Sequence, residues 1–541
     1  MKIKPEKIFL IVILLTMLWV SIGTFFQHKI SHDFPHGYFA SDAFQHQTRA
    51  DAIKLQGDYY YEPNYISGGK KDVVGFYPPI LYHLTILTNI VSGVEIYDLL
   101  LLLVFLTTIL AIFIMYSFLE TKNVLVAVAS LPFMALVFME QNVPAYTWGH
   151  WPALVSESLL VAFIISSFFI EKKYGWVLFG LLSSGIVLTH TSEIVFAVIF
   201  VTIFLIADII EKRKINIYLI KQIVNGSILF LIVSFFYLVI FKFTWSYANP
   251  LKFEVLTEYP GFPMTLQFSH FEILLLLFFI GILALFLSFK KYKEVAILVI
   301  FSIVTGFINY LGFVRALQFR FFWPIFFALL FGSAVVLLTQ PIKNLRKHLC
   351  MGISALFLIA FILNAPHLPK ISVPSDPGMM NPYHWEAFKW MQNNIEKEAE
   401  IYFFRNPLYS ATAILRNSQR VHYISSGLEP FIEQRIIPRY INSTKLGDCC
   451  GTLYPYRKTF FDYGYYYTEQ LDYFKKPIDI CSVRYLIIDV QTNPPVYGQY
   501  GSAIREELLK NRNIKEAFNN GIVSILKNQK PGENCIGEIN G

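Results

Sequence analysis

Through the first two thirds of this 541-residue chain, apolar runs of about 20 residues follow one another with only short charged breaks between them. A bilayer is the environment that satisfies such a pattern, and the composition agrees: 55% hydrophobic, 15% charged, mean hydropathy +0.48. The runs are Ile8 to Phe26, Glu95 to Phe118, Asn123 to Met139, Trp151 to Ile170, Tyr174 to Thr189, Thr191 to Ile210, Leu219 to Phe241, Glu272 to Phe289, Glu294 to Phe313, Phe321 to Leu338 and His348 to Leu363. That is about eleven spans, and an odd number puts the termini on opposite sides. MKIKPEK and the long run after it read as an uncleaved first span. Pro79 to Val91 is apolar but short, and reads as an interfacial or re-entrant helix.

Charge placement orients the spans. With the N-terminus cytoplasmic, the inward loops are Glu120 to Asn123, EKKYG, EKRKIN, KKYKE and PIKNLRKH, and each carries Lys or Arg. The net charge of +7 is largely this orientation signal, so nucleic acid is not an expected partner. The chain is therefore expected to be a mainly α, multi-pass cell-membrane protein over 1–364, with a large first outer loop at 27–78. An extracytoplasmic α/β domain is expected over 365–541.

That domain has helical periodicity through PYHWEAFKWMQNNIEKEAE and SAIREELLK. Strand-like runs are EIYFF, RVHYIS, VRYLIIDV and IVSILK. At about 175 residues it is long enough for its own core. Cys449, Cys450, Cys481 and Cys535 fall there and allow three disulfide connectivities, while Cys350 sits in a span.

Ionisable residues at membrane depth or at its edge are functional candidates, and nearly all of them fall on the outer side. In the first outer loop, Asp42, His46 and Arg49 recur at i, i+4 and i+7, so a helix through SDAFQHQTRADAIKL presents them on one face. The alternative is Asp42 as N-cap with Gln45 three residues on, and His46 and Arg49 solvated. Glu140 and His150 flank the second outer segment, Glu157 lies just inside the next span, and His190 and Glu193 mark the THTSE turn. Asp42, His46, Glu140 and His150 would suit a divalent cation such as Mg or Mn, and Asp42 or Glu157 could serve as a carboxylate catalyst. Glu157 and Glu193 read equally as helix-start charges, and His150, between Trp148 and Trp151, as an interfacial anchor. Arg49, His190 and Glu193 are candidate substrate contacts. Arg315 and Arg320 have the bidentate chemistry for a lipid phosphate, or simply anchor to headgroups.

This arrangement resembles the GT-C superfamily of membrane glycosyltransferases, which use polyprenyl-phosphate-linked sugars. The features that carry the resemblance are a first span, a long loop with the early acid Asp42 in ASDAFQHQTRADAI, YPPILYHL, the THTSE turn, RALQFRFFWP and a C-terminal domain opening near HWEAFKWM. The resemblance implies that Asp42 is catalytic, that the donor is a polyprenyl-phosphate-linked sugar and that membrane lipid is a partner. LVSES with Glu157, and Arg315 or Arg320, match oligosaccharyltransferase segments loosely. The WWDYG signature of those enzymes is missing, with only FDYG at 461–464, and no DxD follows Glu140. A glycosyltransferase of unspecified acceptor is the expected function. A non-catalytic lipid- or polysaccharide-binding scaffold is the main alternative, and a transporter is disfavoured by the lack of an inverted repeat.

Overall fold

The computed structural model describes residues 5–26, 29–38, 41–69, 71–75, 77–138, 143–248, 273–288, 293–310, 321–342, 345–363, 380–404, 412–425, 437–444, 453–457, 463–467, 477–490 and 495–536. Every one of the apolar runs contains a helix. In order the N-terminal helices are α1 (Pro5–Phe26), α2 (Ser41–Gln56), α3 (Ile80–Ser92), α4 (Ile96–Lys122), α5 (Val124–Met134), α6 (Val143–Thr147) and α7 (Trp151–Ser167). They continue as α8 (Gly175–Val187), α9 (Ile194–Lys212), α10 (Ile217–Ala248), α11 (Ile273–Ser288), α12 (Lys293–Tyr310), α13 (Trp323–Leu338) and α14 (Arg346–Leu363). Among the described residues, three stretches are long and apolar enough to cross a membrane: Ile96–Lys122, Thr191–Lys212 and Ile217–Ile240. Lipid-type surfaces accompany them, with Leu106, Leu110 and Phe113 of α4 and Leu231, Ile232 and Phe235 of α10 exposed.

The polar connections sort to two ends of the bundle. At one end Lys122 meets Glu294 at 2.8 Å, Asp208 meets Lys212 at 2.9 Å and Lys293 at 3.6 Å, and Asn216 donates to Glu171 at 2.6 Å. Four of the five basic loops meet in these contacts. At the other end the loop after α1 grips the start of α4: the His32 backbone N–H and ring both bond the Asp98 carboxylate at 2.8 Å. There too Ile80 N–H donates to Leu188 O at 2.9 Å, joining the first turn of α3 to the end of α8.

α3 is as short as its sequence implies. Leu81, Tyr82 and Thr85 are buried, while Leu84, Leu87, Ile90 and Val91 are exposed along the other face. Gly93 ends the helix in the left-handed conformation, its N–H on Asn89 O.

The C-terminal part opens with α15 (Pro382–Asn394), capped by Asn381, whose side chain accepts from His384 N–H at 2.9 Å. It continues through β1 (Ile401–Phe403), α16 (Thr412–Leu415), β2 (His422–Ser425), β3 (Tyr440–Thr444), β4 (Leu453–Arg457), β5 (Tyr463–Tyr467), β6 (Pro477–Asp479) and β7 (Tyr485–Asp489). α17 (Pro495–Leu509), β8 (Ile514–Asn519) and β9 (Val523–Asn528) complete it. The seven-stranded sheet runs β6-β3-β2-β1-β7-β9-β8, and its centre is parallel, with β1 between β2 and β7. β1 and β7 are wholly buried, as a central strand covered on both faces must be. β4 and β5 form a separate antiparallel pair.

Of the three open connectivities, Cys481–Cys535 is the disulfide observed. Cys449 and Cys450 lie outside the described residues, and Cys350 is a buried free thiol.

This sheet domain packs on the first loop and on the start of α4. Tyr97 meets Trp385 edge-on at 5.5 Å, Arg416 Nη2 donates to Ile66 O at 3.3 Å, and Gln47 Nε2 donates to Asn417 Oδ1 at 2.8 Å.

A candidate active site on the first loop

The helix expected through SDAFQHQTRADAIKL is α2. It begins at Ser41, which places Asp42 in the first turn, where the carboxylate meets the positive end of the helix dipole. Asp42 is partly exposed. What brings other elements to it is Gly149: this residue has φ +91°, and a Cβ there would sit 2.3 Å from Ala43 N and 2.7 Å from the Asp42 carbonyl carbon. The turn before α7 therefore lies directly on the backbone that carries Asp42. His150 follows, its ring 5.5 Å from Phe321. Trp148 is exposed while Trp151 is fully buried against Tyr38 and His46, so one of the two flanking indoles is core and not a membrane anchor.

His46 is buried one turn further along α2. Its Nδ1 lies 2.7 Å from the Tyr82 hydroxyl, and its ring also bonds the Gly149 backbone. Burial pushes its pKa down to about 3, helped by Arg49, His150 and His190. At neutral pH it is an uncharged imidazole held by protein.

Arg49 was expected to face substrate, but it is largely committed inside the protein. Its Nε and Nη2 bond Glu62 Oε1 at 2.9 and 2.6 Å, and its guanidinium lies 4.6 Å from the Tyr77 ring centroid. Burial works against the charge, but Glu62, Tyr82 and Tyr77 outweigh it and raise the pKa. Tyr82 is the hub: it contacts His46 and Arg49 and feels the Asp42 and Glu62 carboxylates.

The THTSE turn closes on itself. It is a short 3-10 turn, Thr191–Glu193, in which His190 Nδ1 bonds the Glu193 carboxylate and lies 2.8 Å from Ser192 Oγ. Ser156 Oγ donates to His190 O at 3.3 Å, tying the turn to α7 one residue before Glu157. Glu157 itself is buried, and its Oε2 accepts from Phe322 N–H at 2.7 Å. Phe322 is the N-cap of α13, so Glu157 satisfies one of the backbone donors a helix start leaves open.

Glu140, Arg315 and Arg320 lie outside the described residues. The expected Mg or Mn ligand set is thus not assembled by the rest: among the described residues no group of three His, Cys, Asp or Glu side chains stands where it could hold a metal ion. The His46 ring is turned to Tyr82 and the Gly149 backbone, which takes it out of that ligand set.

Spacing singled out Asp42, His46 and Arg49 on one face, but not their partners Glu62, Tyr77 and Tyr82. Tyr77 and Tyr82 are the two tyrosines of YPPILYHL, and nothing local marks Glu62. The structure brings Asp42, His46, Arg49, His150 and His190 into one neighbourhood; it directs Glu157 to the base of α13.

No protein-family description matches the chain, and no curated protein sequence does. Solved structures do. ArnT from Cupriavidus metallidurans bound to undecaprenyl phosphate has a TM-score of 0.55 at 10% identity, over 96% of this chain and 98% of that one. The oligosaccharyltransferase of Archaeoglobus fulgidus in complex with Zn and sulfate has a TM-score of 0.52 at 12% identity, over 95% and 88%. In its apo form the same enzyme matches 76% of this chain, which spans 64% of that structure, again at 12% identity and a TM-score of 0.52. The chain shares the overall fold of these solved structures.

Proposed function

We propose that this protein is a membrane glycosyltransferase that moves a sugar from a polyprenyl-phosphate-linked donor to an acceptor on the outer side of the membrane. The observation that carries this reading is Asp42: a first-turn carboxylate on α2, pressed against the Gly149–His150 turn, within a GT-C fold. In the proposed reaction the acceptor nucleophile attacks the anomeric carbon as the bond to the lipid phosphate breaks. Asp42 takes the acceptor's proton. Arg315 and Arg320, just ahead of the α13 start that Glu157 anchors, stabilise the charge on the departing phosphate. His46, Tyr82 and the Arg49–Glu62 pair hold α2 in register.

About eleven spans, an inner N-terminus and an outer C-terminal domain belong to the same reading. It is supported by a helix in each apolar run and by the clustering of the basic loops at one end of the bundle. An impermeant thiol reagent should label a cysteine placed at Ser426 but not one at Lys291 in intact cells; the reverse pattern inverts the topology.

The deciding experiment for the enzyme reading is Asp42→Asn with Asp58→Asn as its control in the same loop. Transfer from a polyprenyl-phosphate sugar should fall about a hundredfold or more in the first and persist in the second. Equal turnover in both removes Asp42 from the chemistry. Arg315→Lys and Arg320→Lys should each weaken donor binding about tenfold, because Lys keeps the charge and loses the fork.

A further inference from the structure

α2 has two polar faces. Asp42, His46 and Arg49 line one; Gln47 and Asp51 lie on the opposite side of the helix, toward the sheet domain. On that second face Gln47 is fully buried, and its Nε2 donates both to the Asp51 carboxylate and, at 2.8 Å, to Asn417 Oδ1. Asn417 follows α16 and is itself buried. Its own placement is over-determined: its Nδ2 donates to Ile414 O at 3.0 Å, and its backbone carbonyl accepts from Gln392 Nε2 of α15 at 2.6 Å. The neighbouring Arg416 reaches Ile66 O in the first loop. A buried amide that loses its partner is left desolvated and unsatisfied, so such a pair holds one geometry.

We infer that Asn417 of the C-terminal domain is a positioning residue for the helix that bears Asp42, acting through Gln47. The sheet domain thereby sets the orientation of α2, and through it the reach of Asp42 toward the reacting atoms. Displacements of about 1 Å at a reacting group cost on the order of a hundredfold in rate, so a modest rotation of α2 is enough to be read in turnover. The inference rests on the glycosyltransferase reading for its kinetic consequence, and on geometry alone for the effect on α2.

The test uses the full-length protein in detergent or nanodiscs and the variants Asn417→Ala, Gln47→Met and the double variant. Gln47→Met keeps the side-chain volume and removes the hydrogen bonds, so it is the variant that folds if alanine at 417 does not. Hydrogen exchange at residues 41–56 should quicken in each variant, while the amides of α4 stay as protected as in wild type. With a polyprenyl-phosphate sugar as donor, kcat should fall about tenfold with the donor KM held within about twofold, and the double variant should be no worse than either single one. Unchanged exchange across 41–56 overturns the inference whatever turnover does. Additive losses in the double variant also overturn it, since the two residues would then act separately. A wild-type protein with no transfer activity, but with the exchange response intact, counts against the enzyme reading and leaves the positioning contact standing.

Discussion

Gly149→Ala puts the contact between the α7 turn and α2 under direct strain. Two costs arise together. The residue sits at φ +91°, where an L side chain costs about 1–2 kcal/mol. The added methyl would also lie 2.3 Å from Ala43 N and 2.6 Å from Ala43 Cα, more than 1 Å inside ordinary contact. Both are backbone atoms of a helix, so no rotamer change relieves the clash, and overpacking of this kind costs about 1–3 kcal/mol. The sum is about 2–5 kcal/mol, to be relieved by moving the first turn of α2 away. Asp42 is in that turn, and a shift of about 1 Å predicts roughly a hundredfold loss of transfer. Gly57→Ala is the matched control: it lies just past the end of α2 at φ +69°, but nothing stands within 4 Å of an added Cβ. It carries the conformational cost without the clash. The assay is sugar transfer from a polyprenyl-phosphate donor, with thermal unfolding followed by tryptophan fluorescence. Gly149→Ala with the turnover and melting temperature of Gly57→Ala refutes the argument, because the turn would then not be pressed on α2.

Glu62→Ala strands the Arg49 charge, whose side chain is only 13% exposed, and should destabilise the protein by about 3–5 kcal/mol, read as a drop in melting temperature. Glu62→Gln, which keeps an acceptor, should cost less. Burial pushes the Asp51 carboxyl up to about 6 against the opposing hydrogen bond from Gln47. The folded state therefore holds that proton more tightly than the unfolded one, and its stabilising effect is full below about pH 4 and lost as pH rises through about 6. Asp51→Asn should flatten the stability profile across that window; an unchanged slope means another group sets it. Removing the Cys481–Cys535 bridge, which closes a 54-residue separation, should cost about 4 kcal/mol by chain entropy. Cys481→Ser should lower the melting temperature of the sheet domain, and reductant should do the same to wild type only.

The helices were legible because lipid-scale apolar runs and basic breaks are strong, local signals. The four strand-like runs EIYFF, RVHYIS, VRYLIIDV and IVSILK became β1, β2, β7 and β9, the buried middle of the sheet. β3, β6 and β8 escaped notice because strands at or near an edge need no apolar alternation; β8 buries little beyond Ile514. The helix from Pro382 was expected to run on to the acidic EKEAE, but it ends at Asn394 because Ile395 turns to extended backbone and sinks into the core. At the site, spacing revealed what α2 shares with itself and nothing of what it shares with others. Arg49 looked available because its partner, Glu62, is a loop residue whose approach depends on how residues 58–77 fold back. Glu157 stood out because a buried carboxylate in a span is costly, and one of its partners, the Phe322 backbone N–H, lies 165 residues away, beyond any local signal.

The contact between Gln47 and Asn417 joins residues 370 positions apart, and this sets a timetable for the ribosome and the insertion machinery. At about 5–20 residues per second, α2 waits roughly 20 to 75 s after its own synthesis before the segment that supports it exists. β1 waits too, since its parallel neighbour β7 comes some eighty residues later. The bundle can settle early, but α2 is supported only once the chain has grown past Asn417. A chain that stalls before residue 412 is left with a buried-type amide and no partner for it. Such a product should be recognisable to quality control by an exposed, loosely held α2.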